Sequence, residues 1–100
     1  MDRDGVRNTL LEAIRQILEQ GGQRAAVISD ETRPLQDLEG FDSLSCVEVE
    51  VALTERLQCE VEGIFRLDDG RKARSLRIGR LVDDLCKLLS VKGVAEHVRS

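Results

Sequence analysis

Gly40-Phe41-Asp42-Ser43-Leu44 stands where an irregular stretch gives way to a helical period that runs on to Leu57. A serine hydroxyl beside a carboxylate at such a junction has three chemical uses: nucleophile, helix cap or attachment point. As a nucleophile it needs a base, usually a histidine. The single histidine, His97, lies near the far end of the chain and reads as a surface residue. No G-x-S-x-G elbow surrounds Ser43, and no S-x-x-K relation ties it to Lys72, Lys87 or Lys92. These features argue against a self-contained hydrolase. As a cap, Asp-Ser before an apolar-periodic run is an ordinary helix start. As an attachment point, Ser43 places an anionic linkage beside unsatisfied backbone N–H groups and the positive end of a helix dipole.

The element that presents Ser43 is a helix over residues 43–58. At 100° per residue Cys46, Val49, Leu53 and Leu57 share one side, the core side. Leu44, Val47 and Val51 fall on the other side, interleaved with Glu48 and Glu55, and read as a partner-binding stripe. Glu50 lies at the edge of the core arc and is expected to bend outward or to pair with an arginine. Upstream, residues 5–20 form a first helix with Val6, Leu10, Ile14 and Ile17 as its stripe, flanked by Ala13 and Leu18 and ended by Gly21-Gly22. The connection over 21–42 is long enough to suggest function. Its apolar Ala25, Ala26, Val27, Ile28, Leu35 and Leu38 are expected to fold back over the helices, with a helical turn at 35–38. Residues 59–75 fit a short hairpin, a short helix or an irregular crossover equally well, with a turn at Asp68-Asp69-Gly70. The last helix spans 76–90, with Ile78, Leu81, Val82, Leu85, Leu88 and Leu89 as its apolar face and Ser75 as a possible cap. Residues 91–100 read as a weakly structured extension to a 1–90 domain.

One hundred residues, 41% apolar but only 2% aromatic, require a small core of aliphatic side chains, which suits packed helices. The formal charge of −4 is unevenly spread. Residues 29–62 hold ten acids against Arg33 and Arg56, a local −8, which leaves +4 elsewhere. An acidic field around Ser43 favours basic partners and disfavours nucleic acid. Arg66, Arg71, Lys72, Arg74, Arg77 and Arg80 make this the basic part of the chain; without interleaved aromatics it reads as a solvated segment that offsets the acidic half. Cys46, Cys59 and Cys86 form no C-x-x-C and read as reduced thiols with no metal site. With no signal, transmembrane or lipidation motif, the expectation is a soluble cytoplasmic protein.

The run Leu35-Gln36-Asp37-Leu38-Glu39-Gly40-Phe41-Asp42-Ser43-Leu44 resembles the signature of the acyl carrier protein family, centred on G-x-D-S-L. Val47, Glu48, Ala52, Leu53 and Leu57 match that family's second helix, and Ile78–Leu85 resembles its last. The likeness spans roughly 5–89 and is specific over 35–61. It implies an all-α fold: a four-helix up-down bundle with a long first loop and a short or irregular third helix. It implies 4'-phosphopantetheine on Ser43, transferred from coenzyme A by a magnesium-dependent phosphopantetheinyl transferase, with Asp42 as the neighbouring acid that helps the transferase place its metal. It implies Leu44, Val47, Glu48, Val51 and Glu55 as the face read by basic acyl-loading and acyl-processing enzymes.

The chain departs from the pattern in its longer, basic 62–77 region, in the threonine replaced near Arg77, and in Glu50, where an apolar residue is usual. The expectation is therefore a stand-alone, monomeric, non-enzymatic acyl carrier of a specialised lipid or polyketide pathway, without membrane insertion. A peptidyl (aminoacyl) carrier and an unmodified helical interaction module remain as alternatives.

Overall fold

The computed structural model describes residues 2–22 and 27–99, with side chains as far as residue 90 in the last helix. Its helices, in chain order, are α1 (Arg3–Gln20), α2 (Pro34–Asp37), α3 (Ser43–Leu57), α4 (Gly70–Ser75) and α5 (Ile78–Arg99). No strand occurs among the described residues, so the hairpin contemplated for 59–75 is replaced by turns and α4. Ala25 and Ala26 lie outside the described residues, as do the side chains of Val91, Val94, Ala95, His97 and Val98.

α1 begins two residues before its stripe predicts because the Asp2 carboxylate accepts from the Gly5 N–H at 2.8 Å and fixes the first turn. It ends where Gly22 takes a φ of +83°, which a residue with a Cβ adopts only under strain. Val6, Leu10, Leu11, Ala13, Ile14 and Leu18 are buried, and Ile17 is half-buried at the margin. This stripe packs against both α3 and α5. From α3 come Cys46, Val49 and Leu53; from α5 come Ile78, Leu81, Val82 and Leu85. Leu57, Leu88 and Leu89 close the core edge half-buried.

The long connection folds back as expected, through Ile28, Pro34, Leu38 and Phe41. Val27 does not take part: it stands 96% exposed. Proline at the first helical position seeds α2, which packs against α4. Phe41 meets Phe65 with ring centroids 6.1 Å apart and planes tilted by 49°, a favourable aromatic geometry that joins the connection to the segment after α3.

α5 starts without a side-chain cap from Ser75. The Ser75 hydroxyl instead donates to the Lys72 carbonyl at 3.1 Å and closes α4. The first N–H groups of α5 are satisfied by the connection: Ile78 N–H donates to the Thr32 carbonyl and Gly79 N–H to the Asp30 carbonyl, each at 2.9 Å. A Cβ at Gly79 would stand 3.4 Å from that Asp30 oxygen, at ordinary contact distance. α5 runs past the expected end at 90 to Arg99. Ion pairs at the surface, Arg7–Asp30, Arg77–Glu31 and Arg66–Asp84 among them, bind elements together but add little each.

Glu50 departs from expectation in a way that matters for the site. It neither bends outward nor meets an arginine; it is only 9% exposed, and its Oε2 accepts from the Phe65 N–H at 3.3 Å. One turn on, Thr54 Oγ1 accepts from the Val61 N–H at 3.1 Å. These two side chains hang the irregular 61–65 segment on α3. Helical period gives the angle of Glu50 but not the backbone amide waiting there. Glu50→Ala leaves that amide buried and unpaired, and is expected to cost about 1–3 kcal/mol. Glu50→Gln keeps an acceptor and should cost less than half as much, as urea midpoints would show.

Candidate attachment site at the start of helix α3

The site is built by the last residues of the connection. Gly40 takes a φ of +81°, turning the chain into the extended Asp42, from which α3 springs. Asp42, not Ser43, is the N-cap. Its Oδ1 accepts from the Ser45 N–H at 3.0 Å and from the Ser45 hydroxyl at 3.1 Å, and Ser45 Oγ lies 3.4 Å from the Asp42 N–H to complete a capping box. The Ser45 N–H, and next the Ser45 hydroxyl, hold the Asp42 carboxyl below its usual range.

Ser43 is the first helical residue. Its side chain is exposed, and its hydroxyl forms no hydrogen bond among the described residues. The cap role is therefore taken on both sides of it, leaving the hydroxyl free of structural duty. It opens on a cleft of about 310 Å³ walled by Leu35, Phe41, Leu67 and Ala73, with Asp42 and Arg74 at the margin. Arg74 enters no ion pair among the described residues. An anionic linkage on Ser43 thus finds helix-opening N–H groups, a cation and an apolar wall, and these residues fit a phosphodiester bearing a long, partly apolar arm.

The stripe beyond Ser43 stands where its angles place it. Leu44 is 65% exposed, Val47 46% and Val51 57%, with Glu48 and Glu55 also exposed. The stripe is divided between two hollows. Leu44 and Glu48 line a cleft of about 360 Å³ against the end of α1, together with Asp42 and Ser45. Val47, Val51 and Glu55 line a groove of about 470 Å³ with Glu50, Thr54, Glu60 and Glu62. Thr54 and Arg74 are the neighbours that periodicity does not single out. Glu60 and Glu62 are visible in the sequence only as part of the acidic run.

The other nucleophile nearby is disabled. Cys46, one turn from Ser43, is buried, and burial first, then the charges of Glu50 and Asp42, push its thiol up to about 12. It stays a thiol at neutral pH, the unreactive form. All three cysteines are free. No helix among the described residues is long and apolar enough to cross a membrane. Comparison with protein-family models, with curated proteins and with solved structures gives no match.

The division of labour at this junction is measurable. Asp42→Ala should lower the urea midpoint at neutral pH, whereas Ser43→Ala should stay within about 0.5 kcal/mol of the parent. Asp42 has a folded-state pKa below its unfolded value. Its contribution is present above the unfolded carboxylate pKa and is lost as pH falls through the folded one. The gap between parent and Asp42→Ala should therefore close on acidification below about pH 4.

Proposed function

We propose that this chain is a carrier protein whose Ser43 hydroxyl is the attachment point for 4'-phosphopantetheine. The observation that carries the reading is the exposed, unbonded Ser43 hydroxyl between two residues that cap the helix in its place. An unmodified interaction module would use Ser43 as the cap, and Asp42 already fills that role.

In this reading α1, α3, α4 and α5 are the four helices of an up-down bundle, and α2 is a turn within the long connection. Ser43 Oγ displaces the adenosine bisphosphate half of coenzyme A, forming a phosphodiester as the hydroxyl proton passes to the transferase. The hydroxyl needs that outside help, since among the described residues it is hydrogen-bonded to no base that would activate it. Asp42 spends Oδ1 on Ser45, and its carboxylate, held ionised, stands ready for a metal brought by the transferase. Once attached, the arm supplies a thiol that holds acyl groups as thioesters. The chain's own part is to present the arm and to be read by partners through Leu44, Val47, Glu48, Val51 and Glu55.

Incubation with a promiscuous phosphopantetheinyl transferase and coenzyme A should add the mass of one phosphopantetheine, and Ser43→Ala should abolish the gain. An unchanged parent mass sinks the proposal. Val47→Asp, by removing an apolar contact, and Glu48→Lys, by reversing a charge that a basic partner reads, should each slow modification roughly tenfold, with unchanged urea midpoints. A large loss of stability in either would mark this face as core.

A further inference from the structure

The hollows along α3 differ in charge. The cleft of Leu44 and Glu48 holds the carboxylates of Asp42 and Glu48 and no cation among its lining residues. The groove beside Val47 and Val51 is lined by Glu50, Glu55, Glu60 and Glu62, again without a cation. The cleft toward α4 has one cation, Arg74, and one carboxylate, Asp42, whose Oδ1 is already occupied by the Ser45 N–H and hydroxyl. Of these three hollows, this one alone has Ser43 in its wall. Its volume of about 310 Å³ is that of a small-ligand site. Leu35 and Leu67 stand half-buried along it, with apolar surface still to cover.

The fold itself makes no use of Arg74. It is exposed and enters no ion pair among the described residues. α4 carries Arg71, Lys72 and Arg74 within six residues and buries only Ala73. Arg71 and Arg74 lie three apart, a like-charge spacing that disfavours a helix unless an anion stands near. A phosphodiester on Ser43 is such an anion. Asp42 and Glu48 repel it on the α1 side, and Arg74 attracts it on the α4 side. A guanidinium grips two phosphate oxygens at once, and the bond is charge-assisted. Beyond the phosphate, the pantoyl part of the arm carries a carbon with two methyl groups. Leu35, Phe41, Leu67 and Ala73 offer those methyls an apolar wall.

We infer that Arg74 binds the phosphodiester on Ser43 and that this cleft stows the near half of the arm, an inference that rests on the carrier reading above. Leu44, Val47 and Val51 do not line the cleft, so a stowed arm leaves the exposed stripe clear for a partner. Arg74 is thus a positioning residue: it sets which side of α3 the arm lies on. The two sides of Ser43 then have separate tasks, assigned by the sign of their charge.

The test compares the unmodified and pantetheine-bearing full chain, with conversion checked by mass and side-chain methyls followed by NMR at low salt. On conversion the methyls of Leu35, Leu67 and Ala73 should shift, and those of Val47 and Val51 should stay in place. In Arg74→Ala the cleft shifts should fall by at least half, and the phosphorus resonance of the linkage should move. Arg74→Lys keeps the charge without the fork and should restore most of the cleft shifts. In the parent, about 1 M salt, with a screening length of roughly 3 Å, should reproduce the Arg74→Ala pattern. A merely structural Arg74 would lower the urea midpoint of the unmodified protein and leave the phosphorus resonance where it was, which overturns the inference. Shifts at Val47 and Val51 in place of the cleft, or cleft shifts unaltered in Arg74→Ala, overturn it as well. If Arg74→Ala fails to fold, the parent's methyl pattern and its salt dependence decide. A chain that gains no mass overturns the carrier reading and this inference with it. A chain that gains the mass while its cleft methyls stay in place overturns this inference alone.

Discussion

The paired hydrogen bonds between Asp42 and Ser45 leave Ser43 without a capping role. A helix start must satisfy its first N–H groups, and a serine at that junction is normally recruited to do so. Here the residue before it and the residue two after it close the box together. Ser43 keeps helical backbone geometry, an exposed side chain and a hydroxyl with no structural task. The helix is anchored without it, so the position tolerates attachment of a bulky group.

The same economy orders the rest of α3. Its core side holds α1 through Cys46, Val49 and Leu53, and the burial that makes Cys46 a good packing residue also silences its thiol. Its edge carries Glu50 and Thr54, which hold the next segment by its backbone amides and so create a groove with an acidic lining. Its outer side leaves Leu44, Val47 and Val51 exposed, where a purely structural helix would carry polar residues. One helix thus sets Ser43, the exposed apolar stripe and the groove in a single frame.

The helices α1 and α3 and the two faces of α3 were legible in the sequence because they rest on period, which needs no tertiary information. The turn at 35–38 was legible, displaced by one residue toward the proline that starts it. What was not legible depends on contacts between distant backbone groups. Glu50 could not be placed because its partner is the amide of Phe65, and Ser75 could not be assigned because the carbonyls of Asp30 and Thr32 already serve the start of α5. The choice between Ser43 and Asp42 as cap was equally invisible, since Asp-Ser fits either register until the Ser45 hydroxyl is seen closing on Asp42. The division of the outer stripe into two hollows follows from the end of α1 and the 60–62 segment, neither of which its angles describe.

Ser43 and Ser45 are both hydroxyls within the first turn of α3, and only the capping box separates them chemically. Fragmentation mass spectrometry of the peptide spanning residues 34–56, after treatment with transferase and coenzyme A, reads that separation directly. Phosphopantetheine localised to Ser43 alone is the expected result. Its appearance on Ser45 or elsewhere in the peptide, or an unmodified peptide, would contradict the assignment of Ser43 as the attachment point.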